Sequence, residues 1–517
     1  MKEESSGKIL IKWMWIIIAF SVLDLLIHLY SNLFANYGFF RDEFYYIACS
    51  KRLAAGYVDQ PPLSIYILAL SRLLFGDSLF AIRLLPALSS AVTVFITGLI
   101  VKKLNGNNTA LVIACVSLIA APIFLATNTF YSMNSFDWLL WSLTAYLIIV
   151  LIQDKKEKLW IWIGIVMGLG LLNKVGFLWL GFGFAVGLLF TSERKYLKTR
   201  WPYLAAVIAL LIFSPFIIWN LTHNMAHLEF IRNATSEKYS SLNAISFIAG
   251  LFLILNPLTA AVWLSGIYYF FFQKDGKQIR ILGIIFLVSF IILIINGHSK
   301  SEYLAPAFPV LFAGGGIMFE KWSRLKFGAL IKYAVPASIF LSLVFLSPLA
   351  IPILPVEKYI SYTESIGLKP SSSENKELGE LPQFYADMFG WENMASTVSK
   401  IYSSLPPEEQ ENTVVFTQNY GEAGAIEYYS KKYKLPPVIS GHNNYWLWGY
   451  GNATKNSIII IVGGNKTDHL KSFNSVEEAS VIKSAYAMPY ENNLPVYICQ
   501  GLKRPVKDTW PGVKHYD

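Results

Sequence analysis

Long apolar runs fill the first 353 residues and constrain the fold more than any other feature of the chain. A helix needs roughly 20 apolar residues to cross about 30 Å of hydrocarbon. Candidate runs lie at residues 13–35, 79–101, 109–129, 132–152, 159–173, 175–190, 202–219, 246–272, 281–296, 304–319 and 333–353. With 54% hydrophobic and only 15% charged residues, the chain is too apolar for an ordinary soluble enzyme. We therefore expect an all-α polytopic membrane protein with about eleven or more spans.

Basic residues indicate how these spans are oriented. They recur in alternate loops, as the positive-inside rule predicts for cytoplasmic loops. The groups are Lys2/Lys8/Lys12, Lys102/Lys103, Lys155/Lys156/Lys158, Arg194/Lys195/Lys198/Arg200, Lys274/Lys277/Arg280 and Lys321/Arg324/Lys326. The net charge of +9 is thus typical of membrane loops, and no nucleic-acid partner is expected. With eleven spans, the first loop and the C-terminal part lie outside the cytoplasm.

The composition changes near residue 354, where Ser, Glu, Asn, Lys and Pro become common. Short β-branched runs at residues 413–416 and 457–462 predict strands, with a helical pattern between them. We predict a transmembrane domain at residues 1–353, with a first outer loop at 36–78, and a soluble extracytoplasmic α/β domain at residues 354–517. The three cysteines lie far apart, so neither a disulfide framework nor a zinc pattern is indicated.

The first outer loop carries the strongest functional signal. Asp42 and Glu43 directly follow the first apolar run, and Asp59 lies further along the same loop, before Pro61. A carboxylate held at the membrane face could accept a proton from an acceptor hydroxyl while a second substrate stays anchored by its lipid tail. The structural alternative is that Asp42 pairs with Arg41 or caps the following helix.

Other polar residues on the same predicted face suggest an anion site. Cations at a membrane face suit a lipid-linked phosphate, above all one at a helix break such as Lys174. Taken singly, each is explained better as a solvated or snorkelling side chain, so the inference rests on the group as a whole. Asp137 either orients an acceptor or cation or is simply a polar residue at a helix start. The other members of this set are Arg72, Arg83, His223, His227, Glu229, Arg232, His298, Lys300 and Glu302.

Motifs for metals and nucleotides do not occur in the sequence. There is no HExxH pattern, no Walker loop and no GxGxxG. No nucleotide site is therefore expected. The spacing of His and acidic residues does not indicate a particular metal, so a divalent metal stays open as a cofactor.

Several motifs together resemble glycosyltransferase family 39, a group of bacterial and archaeal membrane proteins related to protein O-mannosyltransferases and to the aminoarabinose transferase of lipid A. The resemblance extends over nearly the whole chain. It is carried by the segments at residues 37–46, 56–63, 75–78, 83–86, 132–134, 170–174, 227–230, 256–258, 303–309, 419–425 and 436–443.

This resemblance implies a GT-C fold, with a polyprenyl-phosphate sugar as donor. It places the family's acidic pair on Asp42 and Glu43, with Asp42 as the catalytic base, and the phosphate-side positions on Arg83, Lys174 and Lys300. Asp59, Asp137, His227 and Glu229 remain candidates for orienting an acceptor or a metal. No MIR-like domain and no Trp-Trp-Asp signature occur, which disfavours classical protein O-mannosylation and oligosaccharyl transfer to Asn.

The function expected from these observations is inverting transfer of a sugar from a polyprenyl-phosphate donor to an acceptor hydroxyl of a glycolipid, envelope glycan or protein. The reaction would take place on the outer face of the plasma (inner) membrane. The partners are then the lipid-linked donor, a lipid or glycan acceptor and the membrane lipids. Two alternatives are a flippase of lipid-linked sugars, which would also need many spans and basic groups, and a non-catalytic membrane subunit. A flippase commonly shows internal repeats, and none is seen here.

Overall fold

The computed structural model describes residues 2–35, 37–238, 242–326, 328–370 and 376–517, with the backbone alone for residues 2–12 and 237–238. The chain divides into two compact units. We call the first the helical unit; it comprises Met1–Ala35, Phe75–Trp219 and Ser241–Leu354. We call the second the mixed unit; it comprises Asn36–Leu74, Asn220–Ser240 and Pro355–Asp517. Parts of two loops are thus grouped with the C-terminal part of the chain.

The helical unit consists of α-helices joined by short turns. Its α-helices are Lys2–Phe34, Leu79–Lys103, Asn108–Ile119, Pro122–Thr127, Met133–Asp154, Leu159–Asn173, Leu178–Phe190, Trp201–Thr222, Ala244–Ile254, Ala260–Phe272, Lys274–Lys277, Ile281–Asn296, Phe308–Trp322 and Val335–Ala350. Shorter 3-10 or π segments are Val175–Phe177, Ser192–Lys198, Pro257–Thr259, Ser301–Ala307 and Leu330–Ala334.

Several of these helices are suited to a bilayer. Among the described residues, six helices are long and apolar enough to cross a membrane, or up to eight if each of two bent pairs forms one span. Large apolar side chains such as Phe190, Ile295 and Leu341 are well exposed on this unit, as lipid-facing residues would be. The protein is therefore a multi-pass membrane protein, as predicted. The count of eleven spans stays a prediction.

Three long apolar stretches are interrupted, one of them where the sequence predicts a break and two within single predicted spans. The run at 159–190 breaks at Lys174, as the sequence predicts, because the helix ends at Asn173 and Lys174 is extended. The run at 109–129 is divided into Asn108–Ile119 and Pro122–Thr127. The run at 246–272, predicted as one span, bends by 95°. The cause is local, since Asn256 has a φ of 68° and Pro257 has no N–H to continue the helix.

The mixed unit combines helices with one sheet. Its α-helices are Arg41–Ser50, Leu63–Phe75, Ala226–Asn233, Val356–Ser365, Gln383–Ala386, Trp391–Ser404, Pro407–Gln410, Tyr420–Tyr429, Asn444–Trp448, Lys466–Ser472 and Val506–Thr509. A π segment, Ala234–Lys238, and two 3-10 segments, Pro489–Glu491 and Trp510–Val513, complete its helical elements.

The five strands are β1 (Thr413–Thr417), β2 (Val438–Ser440), β3 (Ile458–Val462), β4 (Phe473–Ile482) and β5 (Leu494–Leu502). They form one sheet in the order β2-β1-β3-β5-β4. Strand β1 is parallel to β2 and β3, whereas β5 is antiparallel to both β3 and β4. The predicted α/β part at the C-terminal end is confirmed, and both predicted strands are present as β1 and β3.

Candidate active site

The two acidic residues of the first loop lie in the first turn of the helix Arg41–Ser50. Phe40 precedes this helix in an extended conformation, with φ −71° and ψ 143°. Glu43 is fully buried, and its Oε2 accepts a hydrogen bond from the Phe40 N–H at 2.8 Å. One of the N–H groups at the helix start is therefore satisfied by this carboxylate. Negative charge in the first turn also favours the helix dipole.

Asp42 has a different environment, although it is the adjacent residue. Its side chain is 34% exposed. Its Oδ1 accepts a hydrogen bond from the Tyr420 hydroxyl at 2.8 Å and lies 3.5 Å from Arg41 Nε. The predicted pairing with Arg41 is thus present, but it does not remove Asp42 from solvent.

Arg41 itself is held by other groups of the mixed unit. Its Nη1 donates to the Tyr490 hydroxyl at 2.5 Å and lies 3.9 Å from Asp387 Oδ1. Its backbone N–H donates to the Asp387 carbonyl oxygen at 3.0 Å. The guanidinium is therefore shared between the buried Asp387 and the partly exposed Asp42, and it is not a dedicated partner of Asp42.

Asp59 belongs to a second hydrogen-bond network in the mixed unit. Its Oδ1 is 3.0 Å from the Tyr45 hydroxyl, which also contacts Asn444 Oδ1 at 3.0 Å. The same amide oxygen accepts the Val58 N–H at 2.7 Å. Burial, and next the charge of Asp59, raise the pKa of Tyr45 well above its ordinary value. Tyr45 therefore remains a neutral donor at physiological pH.

His227 contacts the same loop through the backbone carbonyl of Val58, whereas Asn444 contacts the Val58 N–H. Its Nδ1 is 2.9 Å from the Val58 carbonyl oxygen, which can only accept a hydrogen bond, so Nδ1 carries a proton. Burial lowers the pKa of His227 to about 4, although the contact with Val58 opposes this effect. His227 is therefore neutral at physiological pH. It holds the loop around Val58 by a hydrogen bond and not by a charge interaction.

Glu229, two residues further on, is committed to an ion pair. Both of its carboxylate oxygens are 2.8 Å from Lys514 Nζ. Glu229 and Lys514 are both partly exposed, so solvent screens this pair. The contact connects the helix Ala226–Asn233 with the end of the chain inside the mixed unit.

The helical unit contains a separate charged group at the break after Asn173. Lys174 Nζ donates to Asn134 Oδ1 at 2.6 Å, lies 3.8 Å from Asp137 Oδ2 and sits 5.2 Å from the centre of the Tyr303 ring. The Lys174 side chain is 14% exposed. Because the helix ends at Asn173, Lys174 projects its ammonium group from extended backbone.

The nine predicted site residues are thus divided between the two units. Asp42, Glu43, Asp59, His227 and Glu229 belong to the mixed unit, whereas Arg83, Asp137, Lys174 and Lys300 belong to the helical unit. Arg83 is buried in the helix Leu79–Lys103, and Lys300 is half-buried before Ser301–Ala307. The structure joins Asp137 with Lys174, and it links Asp59 with His227 through Val58.

Sequence reasoning missed the groups that surround Asp42 and Arg41. These are Tyr420, Asp387 and Tyr490. Only Tyr420 has a local signal, because Asn419 and Glu422 have the spacing of a helix start, and the Asn419 Oδ1 indeed accepts the Glu422 N–H at 3.0 Å. Its contact with Asp42 joins residues 378 positions apart and could not be read from either segment.

Among the described residues, one cluster has the composition of a metal site, namely His442, His515 and Asp517. The Tyr420 N–H, however, points at His442 Nδ1 from 3.4 Å. The proton of a neutral His442 is then on Nε2, which contacts the Asp517 carbonyl oxygen at 3.0 Å. A protonated nitrogen cannot ligate a metal, so hydrogen bonding explains this cluster. Within the described part of the mixed unit, Asp59, His227 and Glu229 form no such cluster.

Comparisons with known proteins agree with this architecture. A family model described as dolichyl-phosphate-mannose-protein mannosyltransferase matches residues 59–219. The undecaprenyl phosphate-alpha-4-amino-4-deoxy-L-arabinose arabinosyl transferase 1 of Pseudomonas fluorescens (strain Pf0-1) is 23% identical over 351 residues. That match covers 65% of this chain and 58% of the length of the relative.

Solved structures decide the fold. The apo structure of ArnT from Cupriavidus metallidurans superposes with a TM-score of 0.60 at 13% identity, covering 94% of this chain and 97% of that one. The same protein bound to undecaprenyl phosphate gives a TM-score of 0.59 at 14% identity, with 94% and 98% coverage. The predicted resemblance is confirmed. The chain has the fold of these GT-C membrane proteins, and the similarity extends over both units.

A more distant similarity points to the same fold. The oligosaccharyltransferase of Archaeoglobus fulgidus tethered to an acceptor peptide matches with a TM-score of 0.50 at 13% identity. It covers 80% of this chain but 63% of the other.

Proposed function

We propose that this protein is an inverting glycosyltransferase that moves one sugar from a polyprenyl-phosphate donor to an acceptor hydroxyl. The observation that carries the proposal is the environment of the Asp42 side chain. This carboxylate contacts Tyr420 and Arg41 and yet is 34% exposed. A general base must be both fixed in orientation and reachable by the proton that it takes. The similarity to the arabinosyl transferase and to ArnT supports the donor class.

In the proposed reaction, Asp42 accepts the proton of the acceptor hydroxyl as the hydroxyl oxygen attacks the anomeric carbon of the sugar. The bond between that carbon and the phosphate oxygen breaks, and its electron pair leaves with the polyprenyl phosphate. The anomeric carbon is inverted in this single displacement. No nucleotide and no covalent enzyme intermediate is required.

Lys174 is the proposed main cation for the donor phosphate, with Arg83 and Lys300 as further candidates. A cation that is 14% exposed interacts more strongly with an anion than one in bulk water would. Its partner Asp137 is 3.8 Å away, a loose ion pair that holds the ammonium group without a short contact. Asp137 is thus proposed to orient Lys174.

The other candidates have supporting roles in this proposal. Glu43 accepts a hydrogen bond from the Phe40 N–H at the start of the helix that carries Asp42. It is proposed to stabilise that helix and so to hold Asp42 in place. Asp59 and His227 hold the loop that follows, and Glu229 ties the helix Ala226–Asn233 to the chain end. The acceptor is a lipid or glycan hydroxyl. The mixed unit and the reaction are proposed to face the outside of the inner membrane.

The direct test is transfer by the purified protein. Undecaprenyl phosphate carrying radiolabelled 4-amino-4-deoxy-L-arabinose, and the same lipid carrying mannose, would be offered together with envelope lipids as acceptors. The proposal predicts a radiolabelled product of inverted configuration from at least one donor, without added nucleotide. Movement of the donor across vesicle membranes with no product under any condition would contradict it and favour a flippase.

A further inference from the structure

Two helices of the mixed unit pack unusually closely beside Asp42. Gly421 and Gly424 lie on the face of the helix Tyr420–Tyr429 that contacts the helix Arg41–Ser50. A Cβ atom at Gly421 would be 2.4 Å from Arg41 Cγ, and one at Gly424 would be 2.8 Å from Phe44 Cβ and 2.9 Å from the Phe44 backbone carbon. Only glycine at these positions allows the two helices to approach this far.

This close packing brings Tyr420, the first residue of its helix, within reach of Asp42. Tyr420 is restrained from three directions. Its backbone N–H donates to His442 Nδ1 at 3.4 Å. Its ring lies 4.8 Å from that of Tyr45 and 4.6 Å from that of His442. These contacts limit the rotation of the ring, so the position of its hydroxyl group is set before any substrate binds.

The hydroxyl group then acts on one oxygen of Asp42. Tyr420 donates to Oδ1 at 2.8 Å, and Arg41 Nε lies 3.5 Å from the same atom. Neither contact uses Oδ2. Rotation of the carboxylate is therefore restricted by contacts on one side, while the second oxygen keeps its lone pairs for another partner.

We propose that Tyr420 is a positioning residue for Asp42, which makes the helix Tyr420–Tyr429 of the C-terminal part an integral element of the catalytic site. This inference rests on the proposed function, in which Asp42 is the general base. A carboxylate that is already held in the orientation needed in the transition state loses less conformational entropy when it takes the proton. The contact with Tyr420 therefore accelerates the proton transfer. In this proposal Tyr420 acts through Asp42 and exchanges no proton with the acceptor.

The test compares two Tyr→Phe variants of the full-length protein. Tyr420→Phe keeps the ring and removes the hydrogen bond to Asp42. Tyr433→Phe is the matched control, because it also removes a hydrogen bond from a tyrosine hydroxyl to a carboxylate, the one to Glu392 at 2.8 Å, in the same unit. Sugar transfer from the donor that the wild-type protein uses is measured well below the lower melting temperature of the two variants.

We expect kcat of Tyr420→Phe to fall about tenfold, the lower end of the range for losing one hydrogen bond to a charged group, with the donor KM within about twofold of wild type. Tyr433→Phe should keep the wild-type kcat. The proposal is overturned if both variants have equal kcat, or if Tyr420→Phe changes only KM.

Failure of the proposed function would look different. If the Asp42→Asn variant transferred sugar at the wild-type rate, Asp42 would not be the base, regardless of the rate measured for Tyr420→Phe. Transfer that is lost in Asp42→Asn but unchanged in Tyr420→Phe would remove only the positioning role of Tyr420.

Discussion

Glu422 and Glu491 share the side-chain amide of Asn419, which donates to Glu422 Oε1 at 3.0 Å and to Glu491 Oε1 at 2.8 Å. Both carboxyl groups are buried. Burial, and next the charge of Glu491, raise the pKa of Glu422 well above its ordinary value. Burial raises the pKa of Glu491 from its ordinary 4.5 to about 7. Close like charges of this kind cannot both ionise cheaply, so the pair retains a proton.

The carboxyl pair predicts a pH dependence of stability. A pKa that is higher in the folded state means that the folded protein holds protons that the unfolded chain releases. The stabilisation is complete below about pH 4.5 and is lost as the pH rises through about 7. Glu491→Gln, which cannot ionise, should match the wild-type melting temperature at pH 5 and exceed it at pH 8, with an advantage on the order of 1.4 kcal/mol per unit of pKa shift.

Thermal unfolding of the detergent-solubilised protein between pH 5 and pH 8 provides the measurement. Glu408→Gln is the control, because Glu408 is exposed and should leave the pH profile unchanged. A Glu491→Gln protein that is less stable than wild type at pH 8 would show that the ionised carboxylate stabilises the fold.

Lys174→Gln tests the phosphate site. Removal of a partly buried cation should raise the donor KM by roughly tenfold to a hundredfold, the range for a lost hydrogen bond to a charged group. Lys156→Gln is the control, because Lys156 has an exposed side chain and lies 3.6 Å from Asp154, a pair comparable in distance to Lys174 and Asp137. Lys174→Gln leaves the buried Asp137 carboxylate without its cation. If this single variant unfolds, the double variant Asp137→Asn/Lys174→Gln, which has no such unpaired charge, takes its place in the test. An unchanged donor KM in a folded variant would exclude Lys174 from donor binding.

Gly424→Ala tests the close packing of the helix Tyr420–Tyr429 on the helix Arg41–Ser50. Alanine favours a helix over glycine by up to about 1 kcal/mol, so propensity alone predicts stabilisation. The new Cβ would, however, lie 2.9 Å from the Phe44 backbone carbon, and overpacking of this kind costs about 1–3 kcal/mol. We therefore expect a lower melting temperature. Gly379→Ala, where a Cβ would meet nothing within 4 Å, serves as the control, and a melting temperature of Gly424→Ala above that of wild type would show that the helices can separate.

Apolar periodicity predicted most of the helical unit, because span length is set by the thickness of the bilayer. It did not predict the 95° bend at Pro257, since hydrophobicity summed over the whole run conceals the pair Asn256-Pro257, although an Asn-Pro pair is itself a turn signal. Strand β4 was also missed. Its sequence, with Glu477 and Glu478 exposed at the edge of the sheet, lacks the continuous β-branched run that identified β3.

The sequence identified Asp42 as the candidate general base, but it did not predict the surroundings of the Asp42 side chain. Sequence proximity gave the pairing with Arg41 and the acidic first turn of the helix. The difference between Asp42 and Glu43 arises from tertiary structure, because the Glu43 side chain turns back to the Phe40 N–H while Asp42 meets Tyr420. Contacts between residues so distant along the chain are set by the packing of whole helices.

The most direct measurement is the single-turnover rate of sugar transfer by Asp42→Asn. Asparagine keeps the size of the side chain but cannot take a proton, and loss of a general base typically costs about a hundredfold to ten-thousandfold in rate. Asp508→Asn, at an exposed position of the mixed unit, controls for the substitution itself. We predict that Asp42→Asn binds the polyprenyl-phosphate donor as the wild-type protein does and transfers its sugar at least about a hundredfold more slowly. Transfer by Asp42→Asn at the rate of Asp508→Asn would contradict a catalytic role for Asp42.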